Sequence, residues 1–497
     1  MYYASMQKRP ASRVNKKSNF NKQLKLVDIT GGDMFILNND IPVPLYKQLY
    51  HQIREQILSG KLPAESRLPS VRDLASELSA SRNTVDGAYQ ELYAEGYIYS
   101  RPRSGYFVSV LSQEAAPQAL SGKPGKNDHL PGPPSRFAYD FHPARLHPES
   151  FPTELWRKCF IEGLRRNSQQ LVQYGDSQGD WGLRCSIQSY LERSRGVTCD
   201  PDQIIVCTGL QQSLEIVAQL LKGSHSVVAV ENPGYHLPRS VFQNHAYTLF
   251  PVPVGQEGID LNHLKTGNST IVYVTPSHQL PLGYVMPVAN RLALIEWAES
   301  AGRFIIEDDY DSELRYHGKP IPSLQGLRPT GNIVYTGTFS KLLSPALRLS
   351  YMVLPYSLLA TYRQLYRAYF PSVSLLEQRT MANFMEQGHW ERHIRRMRMI
   401  YKKKHDALLR SVETHFGARA VVVGQGAGLH VVLMLPDTLR SEAEIIDRAR
   451  QRGIRLYPFS DFHVTGQPEA ATLLLGFGGM TAGEIEKGIE LLSSVCV

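Results

Sequence analysis

The sequence predicts a multidomain chain, in which a small three-helix unit closed by a β-hairpin precedes a large α/β domain with a smaller α+β part at its end. Three observations predict it. Residues 44–96 carry apolar side chains at helical spacing in three runs, and residues 97–109 read as two short strands. Residues 110–138 switch to Ser, Gly, Pro, Gln and Ala, which bury too little apolar surface to offset their ordering entropy. From Tyr139 onward, short β-branched runs alternate with helical stretches, as in a mostly parallel sheet covered by helices.

Length and composition agree. At 497 residues the chain exceeds what one core covers, and 42% apolar with 20% charged is ordinary globular composition. No apolar run is long enough to span a bilayer, and the basic, polar start lacks the apolar centre of a signal peptide, so a cytoplasmic location is expected. The five cysteines include no C-x-x-C pair and are odd in number, which argues against a disulfide frame or a structural metal. The formal charge of +8 is uneven: residues 1–110 hold fifteen Lys/Arg and ten Asp/Glu, a local +5. Such a balance eases approach to polyphosphate without proving it. The expected divisions are an arm (1–40), a small unit (41–109), a linker (110–138) and a large domain (139–497).

In the small unit, Leu45, Leu49, Ile53 and Ile57 mark one amphipathic helix that stops at Gly60. Two more helices flank a tight turn, with Ser70 and Ser81 as N-caps and Leu74, Leu78, Val85, Tyr89 and Leu92 facing a common core. Strand-like pieces around Pro102, Arg103, Ser104 and Gly105 complete a winged helix-turn-helix. The start LPSVR (68–72), the run SRNTV (81–85) and this wing resemble the GntR family of bacterial regulators. The resemblance implies binding to operator DNA. Arg72 would clamp a phosphate, Ser81, Arg82, Asn83 and Thr84 would enter the major groove, and Arg103 with Gly105 would approach the minor groove. A helix N-terminus offers free N–H groups to phosphate, and an arginine fork matches guanine.

The large domain shows buried-strand runs at 204–207, 227–230, 271–275, 304–308 and 333–339, then a basic helical stretch near 376–413 and two further strands at 430–435 and 471–477. Within 391–405, Ile394, Met397 and Tyr401 share one face, which reads as a core-packed helix with a solvated basic side. After two of the strands stand EDDYDSELRY (307–316) and GTFSKLLSPALRLSY (337–351). They supply an acid (Asp308), a phenol (Tyr310), hydroxyls (Thr338, Ser340), a lysine (Lys341) and an arginine (Arg348). Pyridoxal 5'-phosphate (PLP) needs this set: an amine for a Schiff base with its aldehyde, a carboxylate for its ring nitrogen, and donors for its phosphate. Gly209, Leu210 and Gln211, opening a helix after strand 204–207, offer amides to that phosphate. Tyr235 is placed to stack on the ring.

These motifs, with QYGDSQGDWGLR (173–184) and TPSHQLPLG (275–283), resemble fold type I aminotransferases and, more narrowly, the MocR subfamily of GntR regulators. The resemblance implies that Lys341 carries PLP, that Tyr174 reaches the phosphate of a partner subunit, that Gln279 lies near the ring oxygen, and that the chain forms a head-to-tail homodimer. It also implies an effector. In γ-aminobutyrate-responsive members two arginines stand where this chain has Leu237 and Asp461. Arg239 is a candidate substitute, but the mismatch argues against γ-aminobutyrate and leaves PLP itself or another amino compound. An active aminotransferase with an accessory DNA-binding unit stays open beside the regulator; little physiological turnover is expected.

Overall fold

The computed structural model describes residues 35–111, 137–166, 171–223, 226–316, 318, 321–466, 468 and 470–496. Most of the expected arm and linker lies outside them. The chain divides into two compact units, which meet in sequence at Gly132 and Pro133.

In the first unit, α1 (Leu45–Leu58), α2 (Val71–Glu77) and α3 (Arg82–Ala94) pack around Leu49, Ile53, Ile57, Leu74, Val85, Tyr89 and Leu92, all buried. Ser70 and Ser81 accept from the backbone N–H of Asp73 and Thr84, satisfying donors that a helix start leaves free. β1 (Ile98–Arg101) and β2 (Gly105–Val108) pair antiparallel, with Arg101 opposite Gly105. The segment before α2 ties this wing to the core, since Glu65 N–H and Leu68 N–H donate to Val108 and Tyr106 carbonyls at 2.9 Å. The folded part begins earlier than expected. Phe35 is buried in the same core, and the Gln48 and Gln52 amides hold the backbone of Asn38 and Ile36, so residues 35–40 belong to the unit.

The second unit opens with β3 (Tyr139–Asp140) and is built on one sheet. Its strands are β4 (Ile204–Cys207), β5 (Val227–Asn232), β6 (Thr248–Gly255), β7 (Gly258–Ile259), β8 (Ile271–Val274), β9 (Phe304–Asp309), β10 (Ile333–Thr338) and β11 (Ser350–Val353). They lie in the order β4-β11-β10-β9-β8-β5-β6-β7. Pairs β10/β9, β9/β8, β8/β5 and β5/β6 are parallel, whereas β11 runs antiparallel to both neighbours. Side chains alternate between faces: Ile205, Tyr273, Ile306 and Met352 face one core, while Ile204, Val206, Tyr335 and Tyr351 face another. Burial on both faces is why these strands read as continuous apolar runs.

β6 escapes that reading because it contains Pro251 and Pro253. Thr248 N–H donates to Ser226 O at 2.8 Å, which turns even-numbered residues towards β5 and both prolines away from it, so the β5/β6 ladder loses no hydrogen bond to them. The smaller part holds β12 (Val421–Val423), β13 (His430–Leu435), β15 (Tyr457–Pro458) and β16 (Ala471–Gly476) in one antiparallel sheet; β14 (Ile454–Arg455) instead pairs with β3. The basic stretch is two helices, Leu375–Glu386 and His389–Phe416. Ile394, Met397 and Tyr401 are buried as expected. Lys404 is not part of a solvated side: it is buried and donates to Gly478 O at 2.7 Å.

Helices of this unit include α4 (Thr153–Arg166), α5 (Trp181–Arg195), α6 (Leu210–Leu220) and α7 (His236–Asn244). α5 ends in a buried ion pair, Arg195 Nε to Asp309 Oδ2 at 2.6 Å, and Arg195 also donates to Ser277 Oγ at 2.5 Å. Both partners are out of water, so removing one leaves the other uncompensated. Arg195→Met is expected to lower the unfolding free energy of the large domain by roughly 3–5 kcal/mol, read by urea denaturation. A change within measurement error would show that the pair does not hold α5 to the sheet.

Candidate functional site

The parallel strands end at one edge of the sheet, and their C-terminal ends open into a cavity of about 510 Å³. Such an edge is where α/β folds collect ligands. Gly209, Leu210, Gln211, Tyr235, Asp308, Tyr310, Thr338, Ser340, Lys341 and Arg348 all line it.

Each is brought there by a different piece of local structure. Gly209 caps α6 with φ +99°, a conformation that disfavours a side chain. A Cβ at Gly209 would overlap the Arg348 guanidinium. That guanidinium donates to Thr208 O at 2.9 Å, and Gly209 N–H is held by Ser350 Oγ at 2.8 Å. The first-turn N–H groups of α6, the Arg348 fork and the Ser340 and Thr338 hydroxyls therefore converge on one end of the cavity, a cradle suited to phosphate. Arg348 takes a left-handed backbone, φ +51°, to reach it.

At the other end, Asp308 accepts from the Tyr273 hydroxyl and, at 3.3 Å, from Thr336 Oγ1. Burial pushes its carboxyl up to about 7, against the pull of those two hydroxyls and of Lys341; Asp309 pushes with burial. Lys341 is partly buried, with Nζ 5.6 Å from the Tyr310 ring centroid. Burial lowers its ammonium below the ordinary lysine range, while Asp311 and Asp308 push it back up. Burial raises the Tyr235 hydroxyl too. An amine, a buried carboxylate and an anion cradle around one cavity match the three ends of PLP, and nothing in the lining conflicts with it.

Two expected residues stand elsewhere. Gln279 does not line the cavity: it is buried, its amide N–H groups donate to Pro233 and Leu280 carbonyls at 2.9 and 2.8 Å, and its oxygen accepts from Leu282 N–H. Both ends are committed to the turn, which leaves nothing for a ring oxygen. Tyr174 is 80% exposed, stacked on Phe370 at 4.1 Å, and outside the cavity of its own subunit. Leu237 and Asp461 do line the cavity, but Arg239 does not; its guanidinium donates to the Asp461 and Phe462 carbonyls. The sequence reading missed His142, His430 and Asp311 in the wall and the buried His278 behind it. Their only advance signal was a histidine inside TPSHQLPLG and a second acid after Asp308.

In the small unit, Arg72, Arg82, Asn83 and Arg103 are exposed, and no described residue holds their side chains by a hydrogen bond or ion pair. Ser81 and Thr84 are less available, since their hydroxyls meet at 2.9 Å within the cap. Arg103, φ +62°, and Gly105 form the tip of the wing.

Comparison with known proteins agrees with both units. Residues 45–108 match the bacterial regulatory proteins of the gntR family, and residues 146–492 match aminotransferase class I and II. The α-aminoadipate aminotransferase LysN of Thermus thermophilus is similar in fold, with TM-score 0.65 and 25% identity over 72% of this chain and 91% of that one. A helix-turn-helix unit followed by an aminotransferase-fold domain defines a class of transcription regulators. The chain is 38% identical over 461 residues to the HTH-type transcriptional regulator YdeL of Bacillus subtilis, covering 92% of this chain and 98% of that protein. It is 33% identical over 473 residues to the probable rhizopine catabolism regulatory protein MocR of Rhizobium meliloti, covering 93% and 95%. The chain belongs to the MocR-type regulators of the GntR family.

The buried acids carry a pH prediction. Burial raises Glu231, Glu307, Asp308 and Glu313 from the usual carboxylate range to about 7. Folded carboxyls that hold protons more tightly than unfolded ones lose stability as pH rises through the folded value. Cofactor-free protein is thus expected to unfold at lower urea concentration at about pH 8 than at about pH 6; the reverse order would contradict these shifts.

Proposed function

We propose that this regulator carries PLP on Lys341 and senses PLP itself or an amino compound there, and that the small unit reads operator DNA in the cytoplasm. The observation that carries the reading is the cavity's balance of charge. Lys341 and Arg348 are the only lysine and arginine among the described residues that line it, and both are taken by the ends of the cofactor. No forked arginine is left to seize a substrate carboxylate, which aminotransferases need. Among similar proteins, the pyridoxine biosynthesis transcriptional regulator PdxR of Corynebacterium glutamicum, 28% identical, makes PLP itself a natural effector class.

When bound, PLP supplies an aldehyde that condenses with amines and a ring that absorbs visible light. Lys341 offers the resident amine, made more nucleophilic by its lowered proton affinity. Asp308 would present a carboxylate to the ring nitrogen, and Tyr235 would cover the ring. Arg348, Ser340, Thr338 and the α6 N-terminus would hold the phosphate and keep the cofactor anchored. The exposed Tyr174 fits a role towards a second copy in a head-to-tail dimer. Among the described residues, no helix is long and apolar enough to cross a membrane.

Lys341→Ala is expected to abolish the visible band of PLP-loaded protein while leaving melting and DNA retardation measurable. Survival of the band would sink the assignment, and steady turnover of common amino acids by the wild type would favour the enzyme reading. At the other end, Arg82→Ala is expected to weaken specific operator binding by about 1–3 kcal/mol with unchanged folding. Unaltered gel-shift affinity would remove Arg82 from the interface.

A further inference from the structure

Behind the cavity wall, three side chains converge on one nitrogen. His278 Nδ1 lies 2.9 and 3.1 Å from the two Asp311 carboxylate oxygens and 3.0 Å from the Tyr310 hydroxyl. All three residues are buried. The imidazole is enclosed by Gly283 and Gly428, where an added Cβ would meet its ring, and His278 Nε2 has no hydrogen-bond partner among the described residues.

A ring nitrogen either donates or accepts. A carboxylate only accepts, so the bond to Asp311 requires a hydrogen on Nδ1. The neutral tautomer with its hydrogen on Nε2 would give up that bond and bury an unpaired donor, which costs free energy. With Nδ1–H committed, the Tyr310 hydroxyl oxygen can only accept from it; the phenolic proton cannot go back to His278. The structure gives that hydroxyl no other partner among the described residues, and Tyr310 faces the cavity beside Lys341.

Resting on the reading that the cavity holds PLP, we infer that His278 and Asp311 are positioning residues that turn the Tyr310 O–H into the cavity as a donor to the cofactor's ring oxygen. The groups around the cluster are Asp308 and Lys341 on the cavity side, Asp309 behind Tyr310, Glu231 beside the 275–279 turn, and His430 across the His278 ring at 5.3 Å. His430 donates to Pro281 O at 3.1 Å, and burial keeps it well below the usual histidine range, so it does not compete for the Asp311 carboxylate. A donated O–H stabilises the anionic ring oxygen and lowers the proton affinity of the nitrogen joined to the neighbouring aldehyde carbon. The pair therefore sets the pH at which the bound cofactor changes colour.

The test is a pH titration of the visible band in full-length, PLP-loaded protein. His278→Leu and Asp311→Asn are each expected to raise the midpoint by about one pH unit, and His278→Asn, which keeps a donor towards Asp311, to stay near the wild type. In a Tyr310→Phe background neither change should move the midpoint further, because the effect runs through that hydroxyl. Asp311→Asn is nearly isosteric, so the readout survives if His278→Leu misfolds. An unmoved midpoint, or a shift that persists with Tyr310→Phe, overturns the inference. Absence of any visible band in the wild type would instead overturn the cofactor reading on which it rests.

Discussion

Five carboxyl groups within Glu307–Glu313 impose the central constraint on the large domain. Removing so many acids from water is costly unless each finds a partner. Each does, and the partners come from five separate segments of the chain. Glu307 accepts from Leu324 and Gln325 N–H groups, Asp308 from Tyr273 and Thr336, Asp309 from Arg195 and Tyr335, Asp311 from His278, and Glu313 from Tyr190. The end of β9 is thereby stitched to β8, β10, α5, the 275–279 turn and the helix Leu324–Leu327. Only two of these acids, Asp308 and Asp311, reach the cavity. The others fix the backbone that aims those two.

The two ends of the cavity are built differently as a result. The ring end is made of buried groups locked by hydrogen bonds on a central strand, so its geometry is set before any ligand arrives. The cradle end is a helix N-terminus and an exposed arginine in a strained backbone, held mainly through Thr208 and the absence of a side chain at Gly209. A rigid ring site with an adaptable anion site suits a ligand that stays anchored while its reactive end changes partner.

How much of this the sequence discloses follows from what each contact depends on. Lys341, Asp308, Arg348 and the Gly209 turn were legible because local motifs after buried strands place them at a sheet edge. The caps at Ser70 and Ser81 were legible for the same reason. Arg195, Tyr273, His278 and Asp311 were not, since their importance arises only when segments over thirty residues apart are packed together. Gln279, placed near the ring oxygen by the family resemblance, instead gives both ends of its amide to the main chain. β6 was hidden by prolines that matter only on the inner side of a strand, and here they face out.

The proposed function favours a sensor over a catalyst on the same cavity chemistry. A catalyst must bind its transition state better than its ground state, and anchoring a substrate carboxylate is the usual source of that orientation. Leu237 and Asp461 stand in the wall, and Arg239 is spent on two main-chain carbonyls, so no such anchor stands at those positions among the described residues. A sensor needs only a difference in affinity between two states of the protein, and full conversion asks for roughly 5.5 kcal/mol. On the proposed reading, a change of partner at Lys341, beside Asp308 and Asp311, would change charge in a buried place, where such changes are least screened. On the proposed reading, the cavity would keep a charge change at Lys341 while its described lining offers no lysine or arginine beyond Lys341 and Arg348 to anchor a substrate carboxylate.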